Sequence, residues 1–238
     1  MAKKSTVMID NSLPLIRLKA FCDNFDTIQW DKWEKVGLVY SETQAETFKA
    51  ADMQSTGGKL VIKTKKGCFS KGGIASTFIL QGDFDIQIDC RVNFIKGPQG
   101  FSQVVVFGVY EKDVEKRNMK VVQVGLSKKK LWFYSYAFSN YRRSGRFAGG
   151  RGEQIGKFDG TLRLVRKKNQ VTTMYRRFWT SKWTTLSNYP FTDRDAFIGF
   201  KVQNFVGSDK SIEADSQVIV ILDNFQVNGA QGIVESEI

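Results

Sequence analysis

The chain has 238 residues, 42% of them hydrophobic, and a formal net charge of +12. It contains no histidine, which excludes Ser–His–Asp and Cys–His triads, His-ligated zinc and imidazole acid–base chemistry. No run of about 18 apolar residues predicts a membrane-spanning helix, and no secretory signal is evident at the N terminus, so we expect a cytoplasmic location by default.

The predicted elements are almost all strands. Residues 1–20 are expected to form an N-terminal arm, residues 21–229 a single domain, and residues 230–238 a C-terminal tail. Alternating apolar residues between turn signals predict strands at 57–67, 72–95 (two strands meeting at residues 81–82), 102–110, 119–126, 130–138, 160–178 (a hairpin), 180–191, 195–205 and 216–229. About a dozen short strands are typical of an all-β antiparallel β-sandwich. The motif DNF occurs at 23–25 and 223–225, so we expect the first and last strands to lie side by side.

One strand carries a row of polar side chains. Residues 82–90 read GDFDIQIDC, with apolar residues at every second position. The polar side chains are either a solvated sheet face or a ligand-binding row, since carboxylates and amides bind sugar hydroxyls well. The candidate ligand-binding residues of this row are Asp85, Gln87 and Asp89.

A second candidate is an aromatic row on the strand predicted at 130–138. Trp132, Tyr134 and Tyr136 are two residues apart and therefore share one face. Aromatic rings on the same sheet as the polar row would provide a stacking platform for a sugar. The row could equally be the core face of its strand.

Positive charge is concentrated in the middle of the chain. Residues 112–183 contain 19 Lys/Arg and 4 Asp/Glu, a net charge of +15, whereas the remaining residues carry −3. Three interpretations are open: solvated turns and strand edges, an anionic ligand such as a sulfated or uronic-acid glycan, or nucleic acid, which is less favoured. The candidate anion-binding residues are Arg142, Arg143, Arg146 and Arg151.

Three cysteines without a CxxC pair argue against a disulfide scaffold. Cys90 continues the apolar side of its strand, so we expect a small buried side chain. No cofactor is predicted. A structural calcium site formed by Asp23, Asp26 and Asp223 is conceivable if the terminal strands pair, but it stays unassigned.

Several stretches, in this order, resemble the concanavalin A-like lectin/glucanase group, including its laminin-G-like and bacterial-type branches. They are DNFD…W (23–30), GGKLVIKT followed by FILQGDFDIQIDC (57–90), GTLRLVRKKNQVTTMYRRFWTSKWTTL (160–186) and IGFKVQN…VILDNFQV (198–227). The resemblance implies a jelly roll of two curved antiparallel sheets, one of which often holds a saccharide. It also implies that Trp183 and Leu186 pack against the sandwich behind the hairpin. Members of the group bind glycans, hydrolyse them or contact other proteins.

The hydrolase branch of this group carries Glu, Asp and Glu at alternate positions of one strand. The nearest equivalents here are Asp83, Asp85, Gln87 and Asp89, and none is Glu. Residues i and i+4 of a flat strand are about 13 Å apart, whereas a retaining pair needs carboxyls about 5–5.5 Å apart. We therefore expect a non-enzymatic module that binds a carbohydrate, possibly an anionic glycan. The alternatives are a protein-interaction or self-assembly module with a basic loop, and a diverged glycoside hydrolase.

Overall fold

The computed structural model describes residues 8–35, 49–65, 70–93, 101–112, 120–127, 132–138, 157–206 and 217–235. These residues contain one short helix, α1 (Leu15–Ala20), and no helix among them is long and apolar enough to cross a membrane. The strands are β1 (Trp33–Lys35), β2 (Lys49–Ala50), β3 (Asp52–Ser55), β4 (Leu60–Lys63), β5 (Ser70–Ser76), β6 (Phe78–Asn93), β7 (Phe101–Glu111), β8 (Val121–Ser127), β9 (Trp132–Phe138), β10 (Lys157–Lys167), β11 (Gln170–Arg177), β12 (Thr184–Pro190), β13 (Ala196–Val206) and β14 (Ile219–Glu235).

The strands form an antiparallel jelly-roll sandwich, which confirms the predicted fold class. We call the half with strand order β12-β11-β10-β6-β14-β4-β3 the front sheet. The back sheet has the order β9-β8-β7-β13-β5, with β1 and β2 beside β5. In the described residues, the two halves are joined where Ala196 of β13 pairs with Leu80 of β6.

The core lies between the two sheets because apolar and polar side chains alternate along the strands. Along β6, Phe84, Ile86, Ile88 and Cys90 are all buried and point towards the back sheet, as expected for Cys90. They belong to one apolar cluster with Leu162 and Leu164 of β10, Val105 and Phe107 of β7, and Val122 and Val124 of β8. Burying one such side chain contributes about 1.5–3 kcal/mol. The polar residues between them must then lie on the outer face of the front sheet.

The N-terminal segment is fastened to β14 by aromatic packing. Asp23 and Phe225 form an isolated antiparallel bridge, so the two DNF motifs lie side by side, but the first strand, β1, pairs with β5 and not with β14. The Trp33 ring packs edge-on against Phe225, with centroids 5.1 Å apart. Leu18 of α1 is buried in the same core. These contacts pack α1, which lies within the predicted N-terminal arm, against β14 and the core.

Two boundaries differ from the sequence prediction. The strands predicted to meet at residues 81–82 instead meet at Thr77, between β5 and β6. Gly82 has φ 63° but lies inside β6, where β14 continues to pair on both sides of it, at Gln81 and at Phe84. Its positive φ therefore marks a bulge rather than a turn. β14 runs to Glu235, into the predicted C-terminal tail.

Candidate functional site

A groove of about 1150 Å³ runs over the outer face of the front sheet. Its floor contains polar side chains of three neighbouring strands: Gln87 of β6, Arg163 of β10, and Asn224, Gln226 and Asn228 of β14. One wall is α1 with the residues that follow it, and the other is the segment 181–185 before and at the start of β12. The polar row predicted from GDFDIQIDC therefore borders an open groove.

Asp85, the first residue of the predicted ligand-binding row, is not available to a ligand. It is only 1% exposed, and Arg163 holds it from the neighbouring strand. Arg163 Nε donates to Asp85 Oδ1 at 2.7 Å, and Arg163 Nη2 donates to Asp85 Oδ2. Asn228 Nδ2 donates to the same Oδ1 at 3.1 Å. A carboxylate with three donors in a buried site is a structural anchor, so Asp85 positions Arg163 beneath the groove.

Gln87 and Asp89, the other two residues of the row, belong to a chain of hydrogen-bonded amides. Asn228 Nδ2 donates to Gln87 Oε1 at 3.1 Å, and Gln87 Nε2 donates to Gln226 Oε1 at 3.0 Å. Gln226 Nε2 donates to Asn224 Oδ1 at 2.7 Å, and Asn224 Nδ2 donates to Asp89 Oδ2 at 3.2 Å. Each amide oxygen keeps a second lone pair. The chain therefore fixes the floor in one orientation while leaving acceptors for a ligand.

The sequence analysis missed the β14 half of this chain. Asn224, Gln226 and Asn228 follow one another at two-residue spacing within LDNFQVN, which is the same alternation that identified the β6 row. That signal was available in the sequence. The pairing that brings the two rows together spans more than 130 residues, so only the folded chain shows it.

Two acidic residues lie opposite each other on neighbouring strands, next to the groove residue Asn224. Asp89 of β6 and Asp223 of β14 are register partners, and directly opposed residues have Cβ atoms about 4.5–5.5 Å apart on the same face. Thr161 Oγ1 donates to Asp89 Oδ1 at 2.6 Å. Lys59 Nζ lies 3.1 Å from Asp223 Oδ2, and both of these side chains are about one-third exposed. Two acids opposed in register are thus present between β6 and β14.

Positive charge surrounds a tryptophan in the groove. Trp183 packs against the apolar cluster of Ile9, Val165 and Met174, as expected, and its half-buried ring also lines the groove. Its companion Leu186 is buried. The guanidinium carbons of Arg163 and Arg176 lie 5.0 Å and 4.8 Å from the Trp183 ring centroid. These cation–π contacts hold both guanidinium groups in place at the groove.

The predicted aromatic row does not join the polar row. Trp132, Tyr134 and Tyr136 lie on β9, at the end of the back sheet, and pair only with β8 in the described strands. The two rows are not on neighbouring strands, because β13, β7 and β8 lie between β6 and β9 in the strand order. Ligand contact by Trp132, Tyr134 and Tyr136 stays a prediction. Arg142, Arg143, Arg146 and Arg151 lie outside the described residues.

The three acids considered for calcium do not form a cluster. Asp23 accepts hydrogen bonds from Phe25 N at 2.7 Å and from Trp33 Nε1 at 2.8 Å, so its role is to anchor the N-terminal segment. Asp223 pairs with Lys59 instead. Within the described ranges, no three His, Cys, Asp or Glu side chains are arranged to hold a metal ion.

The outer face of the back sheet is built differently. Val104, Val106 and Tyr110 of β7 and Gln123 of β8 are all buried there. Gln123 donates a hydrogen bond to the Tyr110 hydroxyl, and Lys201 Nζ lies 4.3 Å from the centroid of the Tyr110 ring. Desolvation by burial lowers the pKa of Lys201 to about 7. The described part of this face contains buried side chains and the desolvated amine of Lys201, in contrast to the open polar floor of the front sheet.

No protein-family model and no curated protein sequence matches the chain. Several solved structures match it along most of its length. An endo-acting O-glycanase of the human gut microbiota has a TM-score of 0.65 at 10% identity, covering 87% of this chain and 97% of the other. The Bacillus licheniformis β-glucanase has a TM-score of 0.62 at 12% identity, covering 87% and 96%. A Mycobacterium tuberculosis protein described as an immunostimulatory antigen and pseudo β-1,3-glucanase has a TM-score of 0.62 at 11% identity, covering 88% and 98%.

The fold is that of the concanavalin A-like lectin/glucanase group. At identities this low, the likeness establishes the fold and leaves the activity to the residues of the site.

The comparison corrects the predicted function. A non-enzymatic binding module was predicted from the sequence, but a β-glucanase and an O-glycanase share this fold over nearly their whole length. They favour the alternative of a diverged glycoside hydrolase. The prediction considered acid pairs only along β6, whereas Asp89 and Asp223 are opposed in register on β6 and β14.

Proposed function

We propose that the protein is a diverged glycoside hydrolase that binds a polysaccharide chain along the front-sheet groove and cleaves it beside the groove, where Asp89 and Asp223 are opposed. The observation that carries this proposal is that pair of opposed carboxyl groups beside a floor of hydrogen-bonded amides. Glycoside hydrolysis by the retaining route needs two carboxyl groups about 5–5.5 Å apart. The spacing of directly opposed residues on neighbouring strands is compatible with that requirement.

The surroundings of the two acids suggest different roles. Asp223 is paired with Lys59, and we assign it as the nucleophile. Asp89 accepts hydrogen bonds from Thr161 Oγ1 and Asn224 Nδ2, and we assign it as the general acid. In the first step, Asp89 gives its proton to the glycosidic oxygen as the C–O bond breaks and Asp223 attacks the anomeric carbon. Water then gives a proton back to Asp89 and its hydroxyl to the sugar, releasing Asp223.

The amide chain supplies the binding that this chemistry needs. Gln87, Gln226 and Asn228 point their polar groups along the groove and hold one another in place. Preorganised amides match the paired donors and acceptors of sugar hydroxyls. Asn224 links this floor directly to Asp89, so a sugar bound to the amides lies next to the acid.

The test is the release of reducing ends from β-1,3-glucan, mixed β-1,3-1,4-glucan, mucin O-glycans and polygalacturonate. We expect activity on at least one of them, and a loss of about 100-fold or more in Asp89→Asn and in Asp223→Asn, as for removal of an acid–base group. Asp52→Asn is the matched control, because Asp52 is an exposed carboxylate on β3 of the same sheet. A wild-type protein that releases no reducing ends from any of these substrates, or variants that keep full activity, would overturn the proposal.

A further inference from the structure

We infer that the groove takes an acidic polysaccharide, one that carries carboxylate or sulfate groups along the chain. This inference rests on the proposed function, since it assigns the substrate class of the same groove. Its starting point is the balance of charge in the lining, where Lys19, Arg163, Arg176 and Lys182 are cationic and no residue is Asp or Glu.

Three of these four cations are left for a ligand. Asp85 neutralises Arg163 from below through its two hydrogen bonds. Arg176 forms none of the ion pairs found among the described residues, and neither do Lys19 and Lys182. An excess of positive charge in a cleft draws anions and raises their local concentration.

The cations are placed on three sides of the groove. Lys19 is on the α1 wall, Lys182 is on the opposite wall, and Arg176 lies on β11 between them. A polysaccharide bound in the groove would therefore have a positively charged side chain on each side. Because Arg176 is stacked on Trp183 at 4.8 Å, its guanidinium group is held in place before a ligand binds. A fixed guanidinium fork is well suited to bidentate contact with a carboxylate or a sulfate.

The composition of the floor favours a sugar over a nucleic acid. Sequence-tolerant binding of single strands relies on aromatic rings that stack on successive bases. Trp183, the aromatic residue of the lining, is instead stacked with two arginines, and the floor consists of amides that suit hydroxyl groups. Arg163, Arg176 and Lys182 also belong to the basic segment 112–183, so part of its excess charge is directed into this groove.

The experiment measures binding of the full chain to polygalacturonate, dextran sulfate, neutral laminarin and single-stranded oligothymidylate at low and high salt. We expect an acidic polysaccharide to bind about 10-fold or more tightly than laminarin at low salt, and to lose that advantage at high salt. The polygalacturonate and dextran sulfate arms distinguish a carboxylate ligand from a sulfate ligand.

A pair of double variants tests the assignment of residues. Arg176→Gln with Lys182→Gln should weaken acidic-glycan binding about 10-fold, and should weaken it more than laminarin binding. The control, Lys167→Gln with Lys168→Gln, removes the same charge at the exposed β10–β11 turn and should change neither. Thermal unfolding of both variants checks that they fold.

Three outcomes would overturn the inference: equal binding of laminarin and the acidic glycans, tighter binding of oligothymidylate than of either glycan, or equal effects of the two double variants. All three outcomes are measured as binding affinities. The hydrolase proposal is tested by the release of reducing ends, so failure of one proposal can be distinguished from failure of the other.

Discussion

On the front sheet, Asp85 and Arg163 are both buried and hydrogen bonded to each other, whereas on the back sheet the Lys201 ammonium lies over the Tyr110 ring. The first arrangement places two opposite charges in contact beneath an open groove, so each compensates for the burial of the other. In the second, desolvation lowers the pKa of the amine to about 7, so a neutral form competes near neutral pH. The contrast teaches that burial of charge is offset by an opposite charge on the front sheet, whereas on the back sheet it shifts the pKa of an amine.

The largest expected effect comes from breaking the buried pair. Asp85→Ala leaves Arg163 without its carboxylate in a site where its side chain is 5% exposed. We expect the free energy of unfolding to fall by about 3–5 kcal/mol, the cost typical of an uncompensated buried charge. Urea denaturation measures this.

The matched control is the double variant Asp85→Leu with Arg163→Met, which removes both charges at once. It should recover most of the lost stability, because an apolar pair of similar volume needs no compensation. A single variant that loses less than about 1 kcal/mol would show that the pair is not buried as described.

The second effect depends on pH and on Lys201. Above pH 7 the native amine is neutral while the unfolded amine stays protonated up to about pH 10.5, so the unfolded state binds more protons. Stability contributed by this group therefore rises with pH, by up to about 1.4 kcal/mol per unit. Urea denaturation at pH 7, 7.5, 8 and 8.5 measures the slope.

Lys201→Met supplies the reference for that slope, because it removes the titrating group and keeps the aliphatic stem. The difference in unfolding free energy between the two proteins should shrink as the pH rises. Parallel pH profiles for wild type and variant would contradict a lowered pKa for Lys201.

The smallest effect is expected at the exposed end of the front sheet. Lys59 and Asp223 are 38% and 34% exposed, so their ion pair is screened by water. Lys59→Met should change the free energy of unfolding by less than about 1 kcal/mol, and added salt should reduce the difference further. A change as large as that of Asp85→Ala would mean that the contribution of these two ion pairs to stability does not depend on how deeply they are buried.

Much of the fold could be predicted from local pattern. The alternation of Phe84, Ile86 and Ile88 with polar residues identified β6 and its buried face, and the hairpin over 160–178 is present as β10 and β11. The end of β5 was misplaced because Gly82 has the sequence signature of a turn. In the structure, Gly82 adopts its positive φ in a bulge opposite β14. Whether a bulge or a turn forms there depends on pairing with a strand almost 150 residues away.

The candidate site was predicted only in part. Asp85, Gln87 and Asp89 were identified as one row, but the structure gives them unequal roles: Asp85 anchors Arg163, Gln87 joins the amide floor, and Asp89 faces Asp223. The aromatic row was ambiguous because both faces of its strand are largely apolar, and a period of two cannot tell which sheet a strand enters.

The sequence by itself determined the absence of imidazole chemistry, the all-β class and the polar row beside an apolar one, since residue types and two-residue periodicity are local properties. Only the tertiary structure decided that a second polar row on β14 adjoins the first and that Arg163 is buried on Asp85. It also decided that Asp89 and Asp223 are opposed. Strand order and register depend on contacts between distant residues, and these form only when both sheets bury their apolar faces together.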